Sequence, residues 1–275
     1  MSIVHLPNQA TNLWLRISRP KPQARLRLFC FPYAGGAASI YRTWHQHLPA
    51  DIEVCAVQLP GRENRIREQP FTDLGELVQA LLPNLLPYLD KPFALFGHSM
   101  GTLIVYELVQ QLRQQMGRTP THLFVSGRRA PFLPNPDAPL HALPADDLFL
   151  TELQRRYNNV PAVMFEEADL RDLFVPLLRA DFTLVERYQW REAIPLPCPI
   201  VALGGESDSH ASRADLMAWQ ELTQSNFSLH LLPGGHFYLN EQTSALIAHI
   251  SEYFSALHFC STFDPRRPDK LQSRS

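Results

Sequence analysis

The run Phe93-Ala94-Leu95-Phe96-Gly97-His98-Ser99-Met100-Gly101 decides how this chain is read. An apolar stretch of strand length ends in the spacing G-x-S-x-G. Residues 102–115 then carry a helical stripe, with Ile104, Leu108 and Leu112 in line and Val105 and Val109 beside it. A serine between strand and helix, with glycine two positions away on either side, is the pattern of a nucleophile elbow. The turn is too sharp for side chains at the flanking positions and lifts the hydroxyl clear of the sheet. The spacing alone is weak; the strand before it and the helix after it give it weight.

Working outward, strand-like runs occupy residues 25–31, 52–58, 93–97, 122–126, 199–203 and 227–232. Helical patterns fill residues 74–89, 102–115, 213–223 and 243–257. Strands alternating with helices of this length predict an α/β fold with a mostly parallel sheet and helices on both faces. Residues 131–190 break the alternation: they open with Pro131, Pro134, Pro136, Pro139 and Pro144, then turn helical from Asp146 through Arg187. We expect a helical insertion serving as a lid; the plainer reading is a packing subdomain. Residues 1–258 are expected to form one domain, and the polar segment 259–275 a disordered tail.

Composition bounds the function. The chain has 275 residues, a net charge of -2, 45% hydrophobic and 19% charged residues. That suits one sizeable core and excludes collagen, coiled coil and charge-rich disorder. Near-neutrality argues against nucleic-acid binding. Cys30, Cys55, Cys198 and Cys260 are scattered, with neither metal-ligand spacing nor a disulfide framework. Residues 1–15 lack a signal-peptide pattern and no run of 18 apolar residues exists, so a soluble cytoplasmic protein is expected. Of only 12 glycines, eight fall in four loops, at 35–36, 97 and 101, 204–205, and 234–235.

A serine hydroxyl needs a base and an orienting acid to become nucleophilic. In this architecture they follow in the order serine, acid, histidine, each after a strand. The strand at 199–203 runs into Gly204-Gly205-Glu206-Ser207-Asp208, and that at 227–232 into Pro233-Gly234-Gly235-His236. Parallel strands bring Asp208 and His236 to the sheet edge of Ser99. Glu206 and Asp181 compete for the acid role. His210 is the nearest rival base, while His98 is expected to point away from its neighbour Ser99. Two backbone N–H groups must receive the oxyanion. Met100 follows the nucleophile, and Phe31-Pro32-Tyr33-Ala34-Gly35-Gly36 forms the turn after an early strand. Ala34 is the second donor expected, with Tyr33 the runner-up. This chemistry needs no metal or cofactor.

Phe31 to Gly36, Pro60-Gly61-Arg62, Gly97 to Gly101, the loop from Gly204 to Asp208 and Gly234-Gly235-His236-Phe237 together resemble a type II thioesterase. These are stand-alone α/β-hydrolases serving nonribosomal peptide and polyketide synthases. Leu178-Arg179-Ala180-Asp181-Phe182 also looks like this family's lid. The likeness covers roughly residues 26–257; Thr102, where a third small glycine is common, and the tail depart from it. It implies an α/β-hydrolase fold and an acyl or aminoacyl thioester held on the phosphopantetheine arm of an acyl or peptidyl carrier protein, with a monomer acting through an acyl-serine. Arg62 and Arg65 have two readings, contact with the arm's phosphate or the carrier, or bracing of their loop. Tyr33 and Phe237 are further substrate-binding candidates. Met164, Phe165, Phe174, Leu177 and Phe182 line an acyl channel or simply pack. The competing functions are a carboxylesterase or lipase with the same triad, and an inactive hydrolase fold that binds a partner.

Overall fold

In the computed structural model, which describes residues 12–255, seven strands form one sheet. They are β1 (Leu15–Arg16), β2 (Leu26–Phe31), β3 (Ile52–Val57), β4 (Phe93–His98), β5 (Leu123–Ser126), β6 (Ile200–Gly205) and β7 (Phe227–Leu232). Their order is β1-β3-β2-β4-β5-β6-β7, parallel except for β1, which runs antiparallel to β3. The six long runs match the sequence reading within a residue or two. Two-residue β1 is too short to leave a periodic signal. The expected tail and Cys260 lie outside the described residues.

Period-two alternation sorts the strand side chains between two cores. Phe29, Leu95, Val125 and Ala202 face the layer of α1 (Leu74–Leu85), α2 (Met100–Met116) and α6 (Arg213–Met217). Leu28, Phe96, Phe124 and Val201 face Tyr41, Trp44, the short α7 (Tyr238–Glu241) and the buried stripe of α8 (Thr243–Ser255). The predicted helix at 74–89 tightens into a 3-10 turn at Leu86–Tyr88, where Pro87 supplies no N–H. The predicted helix at 213–223 likewise gives way to a 3-10 segment, Ala218–Leu222. Among the described residues, no helix is long and apolar enough to cross a membrane.

No strand interrupts residues 131–190; instead α3 (Asp146–Tyr157), α4 (Val163–Glu166) and α5 (Ala168–Glu186) follow one another. They gather their own apolar cluster around Phe149, Leu150, Met164, Val175 and Phe182. Near its end α5 sends Leu184 and Val185 into the core on the α2 side of the sheet. One helix therefore ties the insertion to the sheet. Register does the rest of the positioning. Phe31 lies beside Gly97, His98 beside Ser126 and Gly205 beside Leu232, so the loops after five strands open at one edge.

Candidate active site

Ser99 occupies the sharp turn between β4 and α2 with φ 51° and ψ -109°, a region that side chains avoid. The flanking glycines are required by contact. A Cβ at Gly97 would stand 2.3 Å from Gly101 O, and one at Gly101 would stand 2.2 Å from Phe31 O. Ser99 N donates to Ser126 O at 2.8 Å. Thr102, the departure noted in the sequence, is fully buried; its hydroxyl donates to Gly97 O at 2.8 Å and also lies 3.0 Å from Ser126 O. The strained turn is thus held from β4 and β5 together.

The loops after β6 and β7 meet backbone to backbone, for a Cβ at Gly205 would stand 2.3 Å from Gly235 O. That approach sets His236 Nδ1 2.9 Å from Asp208 Oδ2, with both residues buried. The other oxygen of Asp208 accepts the backbone N–H of His210 at 2.8 Å. Ser99 and His236 line one cavity together with Met100, Tyr33, Ala34 and Phe237.

The rival acids lie elsewhere: Glu206 is exposed and Asp181 is paired with Arg62. Of the rival bases, His98 is buried beneath the site, with Nδ1 2.8 Å from Ser126 Oγ, which is 2.6 Å from the Tyr238 hydroxyl. Burial first, and then the nearby His236, hold its pKa well below the ordinary imidazole value, so it stays uncharged. The His210 ring stacks on Tyr157 with centroids 4.2 Å apart and its Nε2 lies 2.9 Å from Arg156 O. It joins the acid loop to the end of α3.

In the turn after β2, Gly36 N donates to Tyr33 O at 2.8 Å and Gly35 N to Asp181 Oδ2 at 2.7 Å. Two of the turn's N–H groups are thereby occupied, and Tyr33 and Ala34 remain beside Ser99. Met100 sits in the first turn of α2, where N–H groups have no partner within the helix.

Arg62 and Arg65 have the arrangement of braces. The Arg62 guanidinium reaches Asp181 at 2.8 and 3.0 Å, Gly36 O at 2.9 Å and Pro60 O at 3.2 Å. Arg65 pairs with Glu68, donates to Gln58 O at 2.9 Å and lies over the Trp14 ring. Every nitrogen of Arg62 is engaged by the protein, which favours bracing over phosphate contact.

The cavity holds about 510 Å³. Of the five apolar candidates of the insertion, Met164, Phe174, Leu177 and Phe182 line it; Phe165 does not and is 42% exposed. A second, mostly polar cavity of about 270 Å³ also reaches Ser99 and His236, past Tyr157, Arg128 and Arg129. Tyr157 and Arg128 escaped the sequence reading, because an aromatic or an arginine in a polar run gives no periodic signal. Asp181 was readable as a rival acid and as part of the lid-like stretch, but not as the partner of the distant Arg62. Among the described residues, no three His, Cys, Asp or Glu side chains are grouped as a metal site would need.

A family model described as a thioesterase domain matches residues 26–254. Linear gramicidin dehydrogenase LgrE of Brevibacillus parabrevis is 45% identical over 86% of this chain and 90% of its own length. The solved RedJ thioesterase from the prodiginine pathway of Streptomyces coelicolor is 39% identical, with a TM-score of 0.78 over 84% of this chain and 91% of its own. YbtT, a type II thioesterase from the yersiniabactin pathway, is 30% identical, with a TM-score of 0.79 over 88% of this chain and 98% of its own.

Proposed function

The chain belongs to the thioesterase family, and on that premise we propose that it clears acyl or aminoacyl groups from the phosphopantetheine arms of carrier proteins, editing a nonribosomal peptide or polyketide assembly line. The observation that carries this reading is His236, held by Asp208 at 2.9 Å and lining the same cavity as the strained Ser99. Ser99 Oγ attacks the thioester carbonyl while His236 Nε2 takes its proton and Asp208 fixes the imidazole tautomer. The N–H groups of Met100 and Ala34 receive the tetrahedral oxyanion. Its collapse breaks the C–S bond, and the imidazolium returns its proton to the leaving sulfur. Water, deprotonated by His236, then attacks the acyl-serine; His236 gives that proton to Ser99 Oγ and the carboxylic acid leaves.

The insertion α3–α5 acts as the lid. It supplies Met164, Phe174 and Leu177 to the acyl cavity and sets Tyr157 against His236, ring centroids 5.3 Å apart. The partner is a phosphopantetheinylated carrier protein, met in the cytoplasm by a monomer. The dehydrogenase in the name of the Brevibacillus relative finds no counterpart here. No two glycines of this chain stand two residues apart, so a G-x-G-x-x-G phosphate loop is absent.

The test loads carrier proteins with several acyl groups and compares the protein with its Ser99→Ala variant, alongside matched oxygen esters. Release from carriers that depends on Ser99 and outpaces ester cleavage supports the reading. Faster turnover of the oxygen esters would replace it with a carboxylesterase.

A further inference from the structure

Ser99 and His236 stand where two cavities of unlike character meet. The larger is walled mainly by apolar side chains of the insertion. The smaller, about 270 Å³, is mostly polar and runs between the segment after β5 and the end of α3. Four arginines border it. Arg129 is held by Pro134 O at 2.7 Å and Asp215 at 3.4 Å. Arg155 and Arg156 both close on Glu152 at 2.7 Å.

Arg128 differs. It borders both cavities, its Nε is fully buried without a partner, and its guanidinium makes no hydrogen bond or ion pair with any described residue. Burial lowers its pKa from the ordinary arginine value, yet a guanidinium remains a cation in protein. With Nε buried and no acceptor from the described residues on the guanidinium, a ligand in the cavity that brings acceptors gains a charged hydrogen bond.

The thioester carbon must lie at Ser99, so the two halves of the substrate leave it in opposite directions. An acyl chain suits the apolar cavity. The pantetheine arm carries two amides and a hydroxyl, and suits the polar one. We propose that the polar cavity receives the arm and that Arg128 donates to the amide carbonyl nearest the thioester, across the arm's ethylene spacer. This rests on the thioesterase reading and fills the role that Arg62 and Arg65, engaged as braces, leave open. Arg128 is a substrate-binding residue that recognises the part common to every carrier-borne substrate.

The experiment measures kcat/KM for one acyl group presented on pantetheine and on ethanethiol, which has the same C–S bond but no amide. The protein is expected to favour the pantetheine thioester. In Arg128→Met that preference should fall by roughly 10- to 100-fold, the loss of one charged hydrogen bond. Arg128→Gln, which keeps N–H donors and much of the volume, should lose less. It gives the same comparison should the Met variant fail to fold. A preference that survives in the variants overturns the proposal, as does a loss that follows the acyl group instead of the arm. Wild-type protein that cleaves neither thioester would overturn the thioesterase reading itself.

Discussion

Arg62 and Asp181, 119 positions apart in the chain, close a two-point salt bridge at 2.8 and 3.0 Å with side chains 4% and 3% exposed. The carboxylate oxygen at 3.0 Å from Arg62 also holds Gly35 N at 2.7 Å. A single acid on α5 therefore joins the insertion, the Pro60–Arg65 loop and the turn that presents Ala34. The packing of the insertion and the shape of the turn after β2 share one anchor.

Removing one partner of a buried pair strands the other charge, at about 3–5 kcal/mol. Arg62→Met and Asp181→Leu should each lose that much in urea denaturation. The double variant should lose less than the sum of the two. Because Asp181→Leu also frees Gly35, its kcat should fall by about tenfold or more in molecules that remain folded, whereas Asp181→Asn retains an acceptor and falls less. Additive stability losses, or an unchanged kcat in Asp181→Leu, would contradict the shared anchor.

Strain at Ser99 gives a second prediction. A side chain held at φ 51° and ψ -109° costs on the order of 1–3 kcal/mol, which glycine escapes. Both Ser99→Ala and Ser99→Gly should abolish thioester release, but the glycine variant should melt higher by about 2–4 °C, despite glycine's larger chain entropy. Equal melting points would place the strain elsewhere.

The core of this fold was legible because its central strands, β4, β5 and β6, are apolar runs that end at glycines, as buried parallel strands do. The positions of Ser99, Asp208 and His236 followed from strand ends and chain order. What stayed hidden depended on contacts between distant segments. Arg62 was readable as brace or binder, and only its distances to Asp181 favour the brace. Thr102 was visible as a departure from small residues, but its hydroxyl bonds to Gly97 and Ser126 require both strands in place. Arg128 lies in the polar pair Arg128-Arg129, where sequence cannot separate the arginine with a carboxylate from the one without.

Placing the acyl chain in the larger cavity, as proposed, predicts a change of chain-length preference. Met164 is 5% exposed and lines both the insertion core and the cavity. Met164→Trp should shorten the space and shift turnover toward short acyl groups, lowering the long-to-short ratio by about tenfold. It should also cost roughly 1–3 kcal/mol of overpacking. An unaltered profile across a homologous acyl series would argue that the chain lies elsewhere.

Acid stability follows from His122. It is 8% exposed, its Nδ1 is buried without a partner, and burial pushes its pKa down to about 4. The unfolded chain, with a histidine pKa near 6.5, takes up the proton first as pH falls. Stability from this residue is whole above about pH 6.5 and is lost progressively toward pH 4, by on the order of 1–3 kcal/mol. His98, depressed in the same direction, adds to the loss. Melting temperatures at pH 7 and 4.5 should therefore drop less in His122→Phe than in the wild type; an equal drop would assign the acid sensitivity to other groups.

In the proposed mechanism Ser99 carries the acyl group between thioester and water. Rapid acid quench of the enzyme turning over an acyl-pantetheine thioester, followed by peptide mass analysis, tests it most directly. The acyl mass should appear on the peptide containing Ser99 and be absent in Ser99→Ala together with release. Acylation of a different residue, or undiminished release by Ser99→Ala, would contradict it.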